Sequence, residues 1–245
     1  MQEVQLRAVV RLAVGGAAIS LLAVHPLTGQ VGHRPGDSPF RDIRKGHTLT
    51  AQGGYFGGSG GQFNIGPHKG AVYGGRYDIR TGSTIQIGLG IAHGSVDRFI
   101  VDPFVRLVNR RSGPVKQSLT LADIGIQFNV TGGKSWNRLA PFIAAGVGLA
   151  FAGDTPADTS QYDFGRKFYV APSIGTRFFL SDRLHVRAEA RAVFWKLNYP
   201  TTFQAEPVEE PGTPEDPNAV IPGDNLSEWT ASPWLQIGVG YAFSP

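Results

Sequence analysis

The stretch 184–194 (LHVRAEARAVF) sorts its side chains strictly by parity. Leu184, Val186, Ala188, Ala190, Ala192 and Phe194 fall on one side of an extended chain, and His185, Arg187, Glu189 and Arg191 on the other. Strand side chains alternate faces, so this is a two-faced β-strand. The preceding run FYVAPSIGTRFFL joins it through Ser181-Asp182-Arg183, which makes the pair a β-hairpin. Two environments fit such a strand. In a soluble sandwich the apolar row faces a core and the charges face water. In a transmembrane barrel the apolar row faces lipid and the charges face a lumen.

Eight alternating runs of this kind follow one another: 48–56, 70–79, 84–93, 118–130, 139–152, 168–180, 184–198 and 229–244. The segments between them alternate long, short, long, short, long, short, long. An up-and-down barrel with both termini at one end requires that rhythm, with tight turns on one side and long loops on the other. A Greek-key sandwich has no reason to produce it. The runs also exceed the ~5–6 residues common in soluble sheets and approach the ~9–11 that cross a membrane. The fold expected is therefore all-β: a closed antiparallel up-and-down transmembrane barrel of eight strands. Pro141, Pro172 and Pro233 fall inside three of the runs. A closed barrel has no free edge to hold them, so each is expected at a bulge or at an extension beyond the bilayer.

Residues 1–30 read as a cleaved signal peptide. Arg7 and Arg11 supply the positive end, and Leu12–Val24 (LAVGGAAISLLAV) supplies the apolar stretch. Residues 31–46 are polar and basic and read as a periplasmic lead-in linker, which leaves 47–245 for the barrel. No run of 18 or more apolar residues occurs after residue 30, so no membrane-spanning helix is expected in the mature chain. The absence of cysteine excludes a disulfide scaffold. The net charge of +4 is scattered rather than gathered into a basic stripe with aromatics, which argues against nucleic-acid binding. Glycine is abundant, with 33 residues, many of them on the polar faces of the runs. Small inward residues leave room for large neighbours in a narrow barrel.

With this rhythm and the closing run WLQIGVGYAF (Trp234–Phe243), the chain from His47 onward resembles the small eight-stranded outer-membrane β-barrels typified by the OmpA transmembrane domain and OmpX. The resemblance implies a bacterial outer-membrane location and contact with outer-membrane lipid and lipopolysaccharide. It also implies insertion by the barrel-assembly machinery, which reads a terminal aromatic strand. Here Phe243 is followed by Ser244 and Pro245, a departure from that ending. The last run reaches the C-terminus, so no peptidoglycan-binding domain is expected. A monomer is expected, with a structural, surface-interaction or minor-pore role. The less favoured readings are a lipid-modifying barrel enzyme and a soluble ligand-binding barrel.

The inward parity collects Arg76, Asp78, Asp123, Arg177, Arg187, Glu189 and Arg191. An eight-stranded barrel has an interior just wide enough for side chains, and unpaired charge there is costly. These seven are expected to form an ion-pair network that holds the barrel shut. His93-Gly94-Ser95 is similar to the His-x-Ser spacing of lipid A deacylase barrels, but Val96 and Asp97 follow it in place of Asn-Ala, so no catalytic residue is assigned. Gly53–Gly61 lacks the Lys-Ser/Thr that a phosphate loop requires, and no cofactor or metal site is expected. The segment 199–228 carries Glu206, Glu209, Glu210, Glu215, Asp216, Asp224 and Glu228 without any Lys or Arg. It reads as a disordered, solvated loop. Tyr55, Tyr73, Tyr77, Trp136, Tyr169, Trp195, Tyr199, Trp229 and Trp234 cluster toward run ends and are expected to form interfacial girdles.

Overall fold

Eight long strands close into a ring. The computed structural model describes residues 38–156 and 158–244. The signal segment 1–30 and the first part of the lead-in lie outside the described residues. In chain order the strands are β1 (Phe40–Asp42), β2 (His47–Phe56), β3 (His68–Arg80), β4 (Ile85–Val101) and β5 (Arg111–Asn129). They continue with β6 (Lys134–Trp136), β7 (Leu139–Ala152), β8 (Arg166–Phe179), β9 (Leu184–Asn198) and β10 (Ser227–Phe243). The ring runs β2-β3-β4-β5-β7-β8-β9-β10, and β10 returns to β2. Every ladder is antiparallel, and the closing seam runs from Trp234↔Phe56 to Phe243↔His47.

The expected barrel of eight strands is thus present, with two further three-residue strands at the end carrying the tight turns. There β1 pairs with β6, matching Phe40 with Trp136. Arg80 donates to the carbonyls of Ile43 and Arg44, so residues 40–44 of the lead-in are fixed in place rather than free. The turns at this end are 81–84, 130–138 and 180–183. Gly132 takes φ +66° in the second of them, a left-handed conformation that glycine adopts without strain.

At the opposite end lie 57–67, 102–110, 153–165 and 199–226. The expected long connection at 94–117 is mostly strand. The β4–β5 ladder continues outward to Val101↔Arg111, past a register shift between Arg98 and Ile100. At about 3.3 Å per residue, the 17 residues of β4 exceed what a bilayer crossing needs. This hairpin therefore extends beyond the bilayer. The three prolines are not held at bulges. Pro141, Pro172 and Pro233 pair with Thr176, Ala145 and Ala192 without a register shift. Pro172 only interrupts the β8–β9 ladder between Val170↔Phe194 and Ser173↔Arg191.

The apolar rows face outward. Leu49, Tyr73, Leu89, Ile91, Ile124, Ile143, Ile174, Leu235 and Ile237 are each about half exposed or more, and they recur around the whole ring. A soluble protein does not expose an apolar surface of that extent. It is the belt of a membrane-spanning barrel, in which every long strand is hydrogen-bonded to a neighbour on both sides. The alternation left open by the sequence is resolved: apolar outside, polar inside.

Candidate functional site in the barrel interior

The interior has two layers, and β9 shows why. Its inward residues are His185, Arg187, Glu189 and Arg191 toward the turns, then Val193, Trp195 and Leu197 toward the long loops. One strand supplies first charge and then apolar bulk.

The layer near the turns contains all seven expected residues, each no more than 9% exposed. Arg76 Nε donates to Asp78 Oδ1 at 2.7 Å, and its Nη1 lies 3.6 Å from Asp123 Oδ1. Arg191 Nη1 donates to Asp123 Oδ2 at 3.0 Å, and the Tyr169 hydroxyl donates to the same oxygen at 3.0 Å. Arg187 reaches Glu189 Oε2 through Nε at 3.0 Å and Nη2 at 2.8 Å. Arg191 Nε lies 3.8 Å from Glu189 Oε1. Asp123 therefore draws together β3, β5, β8 and β9. Such links matter in a medium that would otherwise penalise each charge heavily.

Arg177 departs from the ion-pair expectation. Among the described residues no carboxylate lies within ion-pair distance of it. Its Nη1 donates to Gln86 Oε1 at 3.2 Å and its Nη2 to Asn129 Oδ1 at 2.7 Å. Gln127 links these amides, donating to Gln86 Oε1 at 3.0 Å and accepting from Arg187 Nη1 at 2.8 Å. Four arginines face three carboxylates, leaving one surplus positive charge, borne at Arg177. Gln86, Gln127, Asn129 and Tyr169 therefore join the seven expected residues as members of the layer. Their inward parity was the signal that identifies them.

The layer near the long loops is apolar and was not anticipated. Phe56, Val72, Val96, Leu119, Leu121, Val193, Trp195, Leu197 and Trp234 are buried together. Phe56 stacks on Trp195 with centroids 5.5 Å apart and meets Trp234 edge-on at 6.3 Å. Tyr169, Trp195, Tyr199 and Trp234 are consequently interior groups rather than girdle residues. Tyr55, Tyr73, Trp136 and Trp229 stay exposed, as a girdle requires. The two layers touch where Arg191 lies over Trp234 at 5.3 Å, and within the charged layer Arg187 lies over Phe142 at 4.2 Å.

The long loops extend the apolar layer. Ile65, Tyr162, Phe164 and Phe203 join the same buried cluster, and Phe203 stacks on Tyr199 at 5.8 Å. The acidic segment is therefore not a solvated tail: Phe203 anchors it, and Ile221 donates its backbone N–H to the Phe203 carbonyl at 2.8 Å. Its carboxylates also bind. Glu206 accepts from the backbone of Gly212 and Asn218, and Glu228 accepts from Tyr199 and from the Gln62 backbone. Arg98 pairs with Asp158 and lies 5.0 Å from the centre of the Tyr162 ring. Burial raises the Tyr162 phenol above its ordinary value. Burial and the Glu228 carboxylate do the same to Tyr199.

His93 and Ser95 both lie on the outer surface of β4, and His93 Nδ1 is 2.8 Å from Thr120 Oγ1 on β5.

No protein-family model matches this sequence, and no curated protein matches it. Solved structures do. The outer-membrane protein OprG of Pseudomonas aeruginosa is 14% identical, with a TM-score of 0.50 over 85% of this chain and 100% of that one. Neisserial surface protein A is 11% identical, with a TM-score of 0.50 over 80% of this chain and 97% of the other. The N-terminal barrel domain of P. aeruginosa OprF matches at 12% identity and a TM-score of 0.45, over 81% and 98% of the two chains. The chain has the fold of small bacterial outer-membrane barrels.

Proposed function

We propose that this chain is a monomeric integral outer-membrane barrel whose interior is closed to solutes, and that it serves the cell envelope through its wall and its outer loops rather than through catalysis. The observation that carries this reading is the double filling of the interior, by a charged layer toward the turns and an aromatic one toward the loops. An eight-stranded ring leaves little space beyond its own side chains. Export by the signal segment and insertion by the barrel-assembly machinery belong to the same proposal, as does contact of the belt with outer-membrane lipid and lipopolysaccharide. An exposed apolar tip on the β4–β5 hairpin, with Val108 85% exposed and Val208 beside it at 88%, supports a role in surface contact.

The deciding experiment is reconstitution of the purified barrel in planar bilayers. The expected record shows no stable solute-sized channel; persistent conductance steps would overturn the closed interior. Carbonate washing of membranes should leave the protein in the pellet, and its gel mobility should change on heating. Lipid A recovered from cells with and without the protein should be identical, and a difference abolished by His93→Ala would overturn the non-catalytic assignment.

A further inference from the structure

The exposed charges of the eight long strands are distributed unevenly. Lys69, Arg111, Lys116, Arg166 and Lys196 are exposed, all are cations, and all lie toward the long-loop end. At the turn end the exposed charges among the described residues lie off the eight long strands, among them Arg41, Asp42, Lys134, Arg138, Asp182 and Arg183. Two of the five are already engaged. Lys116 holds Asp97 at 2.5 Å. Arg111 donates to Asn64 at 2.7 Å and lies over the Phe99 ring at 4.1 Å.

Arg166 and Lys196 have no acidic partner among the described residues, and they are neighbours. Trp195 pairs with Tyr169 across β8 and β9. The ladder ends at that pair; carried one step further, its register sets Lys196 toward Phe168 and Arg166 on the diagonal from it, on the same outward face. On the other flank Lys196 pairs with Trp229, and Arg166 pairs with Phe151. Phe168 and Trp229 are 57% and 64% exposed. Below the two cations the outward positions of β8 and β9 are apolar, among them Val170, Ile174, Phe194 and Ala190. The pair thus sits just above the hydrocarbon belt, framed by aromatic rings that prefer the headgroup level. Phosphate is the anion found at that depth, and guanidinium and ammonium groups are its usual partners.

We infer that Arg166 and Lys196 form a binding site for the phosphate of an anionic lipid in the leaflet at the long-loop end. This rests on the membrane-barrel reading. The two cations clamp the phosphate from adjacent strands, while Phe168 and Trp229 flank the first carbons of the lipid below it. Among the described residues no exposed pair of cations stands on adjacent long strands at the turn end, which confines this site to the leaflet at the long-loop end.

The test uses the full barrel in phosphatidylcholine vesicles doped with phosphatidylglycerol or with lipid A, and native mass spectrometry to count retained lipid. The wild type should retain anionic lipid in preference to phosphatidylcholine. Each cation near a membrane surface contributes about a fivefold factor, so Arg166→Gln with Lys196→Gln should weaken retention by roughly thirtyfold. Lys196→Gln alone, the fallback if the double variant does not fold, should weaken it about fivefold. Lys134→Gln, at the turn end, should leave it unchanged. Equal retention by the wild type and the folded double variant would overturn the inference. So would displacement of the lipid by millimolar inorganic phosphate, which would mark a general anion site. Insertion without lipid preference would remove this inference alone, whereas failure to enter any vesicle would remove the membrane-barrel reading with it.

Discussion

Arg191 on β9 donates to Asp123 on β5 at 3.0 Å across the interior of the ring, joining two strands that share no ladder. Asp123 is also approached by Arg76 and Tyr169. Its removal leaves Arg76 with Asp78 alone and Arg191 with only Glu189 at 3.8 Å, in a water-poor layer. Asp123→Ala should destabilise the barrel by about 3–5 kcal/mol, read as a lower urea midpoint for unfolding from lipid vesicles.

Arg177 should behave differently from its neighbour Arg191. It binds only neutral amides, so replacing it orphans no carboxylate. Arg177→Met is expected to cost less than Arg191→Met, with the difference at about 1 kcal/mol or more, because charged groups left unpaired carry the larger penalty. Parallel urea titrations of the two variants would settle the order, and an equal cost would contradict the contrast between them.

Gly88 faces the network where there is no room for a side chain. A Cβ there would stand 2.1 Å from Arg76 Nη2 and 2.3 Å from Asp78 Oδ1. Gly88→Ala should push that ion pair aside at a cost of about 1–3 kcal/mol. Gly82, whose Cβ would meet nothing within 4 Å, should accept alanine with little change in the same unfolding assay.

On the outer wall the penalty should depend on depth. Ile237 is 63% exposed in the middle of β10. Ile237→Arg should cost about 2–4 kcal/mol, and an arginine replacing Ser227 near the strand's outer end no more than about 1 kcal/mol. Comparable costs at both sites would contradict the placement of the belt.

The loop layer should weaken at high pH. Tyr162 and Tyr199 keep their protons more tightly in the folded protein than in the unfolded chain. Their contribution is complete below the unfolded phenol value of about 10 and is lost as pH rises from there toward the folded values. Absorbance titration should show a fraction of tyrosine that ionises late, and Tyr162→Phe and Tyr199→Phe should each reduce it.

The wall of the barrel was legible because membrane and lumen impose a period of two on every strand. That constraint places Ile85, Ile87, Leu89 and Ile91 on one side without reference to any distant residue. It could not locate the end of the β4–β5 ladder. Above the bilayer the outward positions become Ser95 and Asp97, and the apolar signal fades while the hydrogen bonding continues. The seven interior charges were legible by parity alone, but their partners were not, since Arg177 finds its amides on β4 and β5 through ring curvature. Tyr169, Trp195 and Trp234 were misplaced by proximity to strand ends, although their parity marked them as inward. The order in the acidic loop depends on Phe203 reaching a cluster assembled from other loops, a tertiary contact with no local signature.

The seam between β2 and β10 joins the beginning of the ring to its end, ten pairs long. The first long strand therefore keeps one edge unpaired until β10 docks on it. The contacts of Asp123 with β3 and β9 need the completed curvature too, so sheet and interior depend on the same closure. A chain cut before Ser227 would hold buried arginines beside an open edge and could not settle in a bilayer. Closure of the ring and completion of the interior network are thus coupled through β10.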